Sequence, residues 1–252
     1  MYKSRILNIN SNRNENAVPL NFVGRQLGKS REKYAIKILL VLAFLTGFSM
    51  IIYSPVCCWF SALSHAGVIS QFNKNIAQLS EADRNGIIVA AKEYNESLLT
   101  NPNRFYPGES GYGRYCKILD FTGTGVIGSL EIAAINVKLP VYLGADEQTL
   151  TKGAGHLEGS SLPVGGPSTH CIICVHRGLP TSTLLADADR LVIGDTFTLH
   201  ILNDTLTYRV DNIAVVVPDD YRYLQIEPGK DYCTTLALHK IFIKKSRQKN
   251  YQ

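Results

Sequence analysis

The sequence predicts a mainly β fold: a small closed barrel with short helices, preceded by N-terminal helices and one transmembrane helix. Three observations carry this. An apolar run follows a basic arm near the N-terminus. Apolar residues then recur at helical spacing. From Gly125 onward, short apolar runs alternate with turn residues. Many short strands punctuated in this way favour a sheet closed on itself with helical trimmings.

Residues 1–35 are polar and asparagine-rich. They hold Lys3, Arg5, Arg13, Arg25, Lys29, Arg31 and Lys33 against only Glu15 and Glu32. Such a composition reads as a disordered cytoplasmic basic arm. It carries much of the chain's net charge of +5, and the apolar run directly after it argues against a nucleic-acid partner. Residues 38–52 are apolar but for Thr46, Gly47 and Ser49, and 53–60 extend the run through Pro55 and Trp59. About 22 such residues cross roughly 30 Å of hydrocarbon as a helix, so 36–60 is assigned as a membrane anchor. The cationic flank precedes it, which puts the N-terminus in the cytoplasm and the remainder outside the cell. A cleaved signal peptide is the competing reading; the long basic lead and the lack of an A-x-A site weigh against it.

Residues 61–124 form the next unit. Val68, Phe72, Ile76 and Leu79, then Ile87, Ile88, Ala91, Tyr94 and Leu98, recur at helical spacing. This predicts one or two amphipathic helices, broken near Asn85-Gly86. The stretch 101–114, NPNRFYPGESGYGR, reads as an exposed loop.

Residues 125–252 form the barrel. Strands are expected at 126–132, 139–142, 170–175, 196–202, 205–217 and 233–238, with a hairpin turn at Asn203-Asp204 and a short helical turn at 184–191. The six cysteines show no dense disulfide spacing. Cys171 and Cys174 form a CxxC inside an apolar strand, and no second pair completes a zinc site, so buried inert thiols are expected and no metal or cofactor.

The chemistry centres on residues 166–180, GPSTHCIICVHRGLP, where His176 follows the strand at once and Arg-Gly-Leu-Pro follows His176. A strand end favours exposure to a groove. Upstream lies LPVYLGADEQTLTKGAGHLEGSSLPVGG, residues 139–166, and downstream TLLADADRLVIGD, YRVDNIAVVV and PDDYRYLQIEPGKDY. Together these segments, from Ser64 to Tyr232, resemble the class C, pilus-type sortases, membrane-anchored cysteine transpeptidases of Gram-positive cell walls.

The resemblance implies a sortase β-barrel carrying cysteine, histidine and arginine on neighbouring strands. A thiolate forms an acyl-thioester, a histidine protonates the leaving amine, and a cation or donors stabilise the oxyanion. His176 is the implied general acid, and Arg177 and Gly178 the implied substrate contacts. The implied partners are pilin subunits bearing an LPxTG-like signal and an acceptor lysine, together with the membrane. His170 and His156 are read as supporting residues. The family's lid, Asp-Pro-aromatic, corresponds to Asn101, Pro102 and Phe105, and asparagine in place of aspartate removes an ionic tether.

The chain departs from the family after Tyr232. Val175 replaces a glycine before the histidine, a small change. The nucleophile motif TLxTC is missing, and counted without gaps its cysteine falls on Leu238. Cys233 lies five residues early and on the opposite face of a regular strand. Cys233 is nonetheless the candidate nucleophile, and Arg247, in the polar SRQKNYQ stretch, the candidate arginine. Codon degeneracy allows a shifted frame over residues 236–240 to encode Cys-Thr-Pro-Gln, the sequence the family carries at this point. Two functions stay open: a sortase transpeptidase impaired in this chain, or a catalytically inactive sortase-like protein, either a truncated or frameshifted product or a pilus-assembly scaffold. A generic secreted binding domain explains the strands and the anchor but not the match around His176.

Overall fold

The computed structural model describes residues 20–106, 108–179, 182, 184–215, 224–230, 233–238 and 242–248. The chain divides into two units at Tyr53/Ser54. Helix α1, Leu20–Gln78, runs through both. In the first unit its apolar side chains are exposed, among them Ile36, Leu39, Phe44 and Ile51. Thr46 donates to the carbonyls of Leu42 and Ala43, and Ser49 to that of Thr46. The few polar side chains are thus satisfied within the helix, as a hydrocarbon environment demands. The most apolar window reaches a mean hydropathy of 2.4, which makes α1 a candidate membrane anchor by length and composition.

The second unit begins with the rest of α1, and the predicted helix break falls elsewhere. Asn85-Gly86 lies inside α2, Glu81–Leu98, and the chain turns instead at Leu79-Ser80. The Ser80 hydroxyl caps α2 by accepting from the Asp83 N–H at 3.1 Å, and a cap fixes a helix start more strongly than one interior glycine breaks a helix. The loop expected over 101–114 is also corrected: α3 spans Gly108–Leu119. Tyr115 and Leu119 bury completely against the barrel, and that packing outweighs the poor helix propensity of its glycines.

The barrel holds β1 Val126–Ile132, β2 Val137–Leu143, β3 Ala154–His156, β4 His170–Val175, β5 Thr196–Ile201, β6 Asp204–Val215, β7 Cys233–Leu238 and β8 Phe242–Gln248, with a short helix α4, Glu147–Lys152, between β2 and β3. The strands close in the order β1-β2-β3-β4-β7-β8-β6-β5, with β5 pairing back onto β1. β2–β3 and β4–β7 are parallel, and the other pairs antiparallel. The β5–β6 turn is Leu202-Asn203, one residue earlier than the sequence suggests, because Ile201 pairs with Asp204. Inward side chains alternate along the strands to make one core; on β4 these are Cys171, Ile173 and Val175.

Candidate active site

β4 and β7 form the wall on which the site is built. β4 sits between β3 and β7, and its register with β7 pairs His170 with Cys233, Ile173 with Leu236 and Val175 with Leu238. His176 is the first residue past β4 and is buried. Its Nε2 stands 3.4 Å from the Glu147 carboxylate, and its backbone carbonyl accepts from the Leu185 N–H at 3.4 Å. Glu147 opens α4, which Asp146 caps through the Thr149 N–H at 3.1 Å. The cap interactions with Thr149 hold the Asp146 carboxyl below its ordinary value. Sequence reasoning missed Glu147: Asp146 marks a helix start three residues after the strand ends at Leu143, but nothing in the sequence brings that helix to His176.

The loop after His176 folds back on itself. Leu179 and Ser182 exchange two backbone hydrogen bonds, at 2.8 and 3.1 Å. Arg177 and Gly178 are exposed, and the Arg177 guanidinium pairs with the Asp189 carboxylate. Ser61, on α1, hydrogen-bonds Ser182 through their hydroxyls at 2.9 Å.

The structure does not bring the candidate nucleophile to His176. Cys233 sits opposite His170, at the start of β4, with His176 at its far end. Six residues of strand separate those positions, roughly 20 Å. Arg247 pairs with Cys233 on one side and Arg209 on the other, and so lies at the same remote level. Leu238, the last residue of β7, is level with Val175, the residue before His176. The other cysteine near the site, Cys174, is half-buried, and burial pushes its thiol up to about 12, so it is a poor source of thiolate at neutral pH.

His170 and His156 are held inside the scaffold. His170 is almost fully buried, its Nδ1 2.8 Å from the Gln225 carbonyl and its Nε2 2.8 Å from the Thr235 hydroxyl. A carbonyl only accepts, so Nδ1 carries the proton and Nε2 accepts from Thr235. His156 is wholly buried. Its Nε2 lies 2.9 Å from the Ser161 carbonyl and its Nδ1 2.9 Å from the Tyr115 hydroxyl. Burial pulls His156 down to about 4, so it is neutral near pH 7.

The loop 157–166 explains why GHLEGSSLPVGG reads so strongly. The hydroxyls of Ser161 and Ser160 accept from the backbone N–H groups of His170 and Ile172, at 3.0 and 3.2 Å. Asn95 on α2 makes a reciprocal pair with the backbone of Leu162, at 3.0 and 2.7 Å. The motif therefore completes the edge of β4 and ties it to α2.

The lid-like residues lie by the His170 end of this wall. Asn101 accepts from the Asn103 N–H at 3.0 Å. The unpredicted residue here is Arg104. It is buried, donates to the carbonyls of Leu224 and Gly159 at 2.6 and 3.3 Å, and lies over the Phe105 ring at 4.5 Å. Burial lowers its pKa. Asn101, Pro102, Phe105 and Gln225 line a cleft of roughly 550 Å³. Among the described residues, no cluster of three His, Cys, Asp or Glu side chains is arranged to hold a metal ion.

A family model described as the sortase domain matches residues 130–239, from within β1 to the residue after β7. The crystal structure of sortase C1 from Streptococcus agalactiae is 40% identical in sequence and superposes with a TM-score of 0.70, over 73% of this chain and 99% of its own. Sortase C of Streptococcus pneumoniae, whose structure is described for its catalysis and pilin substrate specificity, is 35% identical with a TM-score of 0.64, over 73% of this chain and 97% of its own. Sortase D of Bacillus subtilis (strain 168) is 29% identical over 104 residues, and this chain spans about half the length of that curated relative, 50%.

Proposed function

Because the chain belongs to the sortase family, and its structural neighbours include class C sortases, we propose that it is a pilus-type cysteine transpeptidase whose catalytic set is impaired. In this reading the partner is a pilin with an LPxTG-like signal. A thiolate attacks the carbonyl at the scissile bond, and the C–N bond breaks as His176 protonates the departing amine. A lysine amine of the next pilin then attacks the thioester, forming an isopeptide bond and releasing the thiolate. Arg177 and Gly178 border the peptide and 36–60 anchor the barrel outside the cell membrane, while Asn101, Pro102 and Phe105, the lid by resemblance, line the cleft at the His170 end.

The observation that carries the impairment is the β4–β7 register: Val175 pairs with Leu238, whose side chain has no nucleophilic atom, and Cys233 and Arg247 stand five residues away along the wall. The same register favours the inactive alternative, a truncated or frameshifted product or a scaffold in pilus assembly. Intact-mass analysis after incubation with an LPxTG peptide tests both. The expected outcome is no acyl adduct on the native chain and an adduct on Leu238→Cys. An adduct on the native chain that Cys233→Ala removes would overturn the impaired reading and make Cys233 the nucleophile. No adduct on either chain leaves the inactive alternative standing and rejects the transpeptidase scaffold.

A further inference from the structure

The end of the barrel that carries His176 has features the transpeptidase reading does not use. The register fixes which elements meet there. β4 and β7 run in parallel and finish there. β3 is antiparallel to β4 and so starts there, just after Lys152, and β2, parallel to β3, starts there too. β1 ends there, with Ile132 paired to Val137, and β5, antiparallel to β1, begins there. The loop into β5 therefore shares the end of the barrel with His176. Its tip is Val192-Ile193, 60% and 67% exposed. The tip is held in a fixed turn: the Val192 N–H donates to the Asp195 carboxylate at 2.9 Å and the Gly194 N–H to the Val210 carbonyl at 2.8 Å.

Helix α1 reaches the same end. Ser61 meets Ser182 in the loop after His176, and the His65 ring donates to the backbone carbonyl of Lys152. Immediately before Ser61 stand exposed Trp59 and Phe60, aromatic residues of the kind that mark the boundary between hydrocarbon and water. At about 1.5 Å of rise per residue, Ser61 is within a few ångströms of Trp59 along the helix.

We infer that this end of the barrel rests on the lipid surface, with the Val192-Ile193 tip dipping into the boundary between headgroups and acyl chains and the His176 end of β4 facing the bilayer. The inference builds on the proposed anchor at 36–60. Exposed Arg190 and Lys152 could face anionic headgroups, but Glu147, Asp187 and Asp189 share this end, so the charge is balanced and the apolar tip sets the contact. Two side chains would hold a free domain on a bilayer only weakly. The covalent anchor changes that, because it converts docking into an intramolecular step.

The test uses the full chain reconstituted in vesicles of phosphatidylcholine and phosphatidylglycerol. The photocrosslinker p-benzoylphenylalanine replaces Trp59, Ile193 or Asn203 in three separate variants, Asn203 being the exposed turn at the opposite end of β5. Lipid adducts are counted by mass after illumination. The expected result is adducts at positions 59 and 193, at least fivefold above those at 203. Adducts at 59 with position 193 no better than 203 would reject the docked barrel and leave the anchor standing. Position 59 no better than 203 would reject the anchor and the inference with it.

Discussion

The two ends of the β4–β7 wall differ in how their polar groups are used. At the His170 end, each ring nitrogen has a partner, the serines of the 157–166 loop bond the backbone of β4, and Arg104 bridges two carbonyls. At the other end His176 is buried, yet its nearby carboxylate, Glu147, is 77% exposed on its side chain. Both histidines are buried, so burial does not distinguish them; their partners do. His170 is fixed between a carbonyl and a hydroxyl, whereas His176 stands beside a solvated carboxylate. The GHLEGSS motif belongs to the His170 end. Cys233 and Arg247, the candidate nucleophile and arginine, lie on β7 and β8 at this same end.

The sharpest way to break this contrast is at Gly159. Its φ is +81°, and a Cβ there would meet the Arg104 carbonyl oxygen at 2.3 Å, which is backbone and has nowhere to go. Gly159→Ala should cost about 3 kcal/mol or more, read from denaturant unfolding of the detergent-solubilised chain. A loss below about 1 kcal/mol would mean the lid-like segment is not tightly seated. Next in size is pH. His156 is depressed to about 4 in the fold from roughly 6.5 unfolded. Between those values the unfolded chain binds more protons, so stability is full above about pH 6.5 and falls as pH drops toward 4. Unfolding at pH 7 and pH 4 should differ by about 3 kcal/mol from this group, and His156→Gln should flatten that part of the profile. Smallest is the difference between the two β4 histidines. His170→Ala strands the Gln225 carbonyl and the Thr235 hydroxyl and should cost about 2–3 kcal/mol. His176→Ala should cost about 1 kcal/mol, because its carboxylate partner is solvated. Equal losses in parallel thermal melts would remove the contrast.

Much of the barrel was legible in the sequence. β1, β4 and β7 lie where alternation and turn residues put them. β3 escaped because three residues, Ala154–His156, are too few to show a period. β8 escaped because Phe242–Gln248 is largely polar; the ladder bonds it makes to both β6 and β7 leave no trace in hydropathy. In the site, the position of His176 past a strand end was readable, since a run of apolar residues ending in His-Arg-Gly has few other meanings. Glu147 was not, because its approach depends on β2, α4 and β3 folding together. The separation of Cys233 from His176 was half readable: parity gave the wrong face for Cys233, but only pairing with β4 shows that it also stands at the wrong level.

That pairing also bears on how fast the wall can be assembled. β4 and β7 touch along their whole length although about 60 residues, including the β5–β6 hairpin, lie between them. Local hairpins such as β5–β6 can form early, but the parallel contact must wait for a long loop to close, and non-local pairing of this kind slows folding. The wall that precedes His176 should therefore acquire protection from amide hydrogen exchange late, with the β1–β5 closure, so that a chain caught midway would already have its β5–β6 hairpin while still lacking that wall.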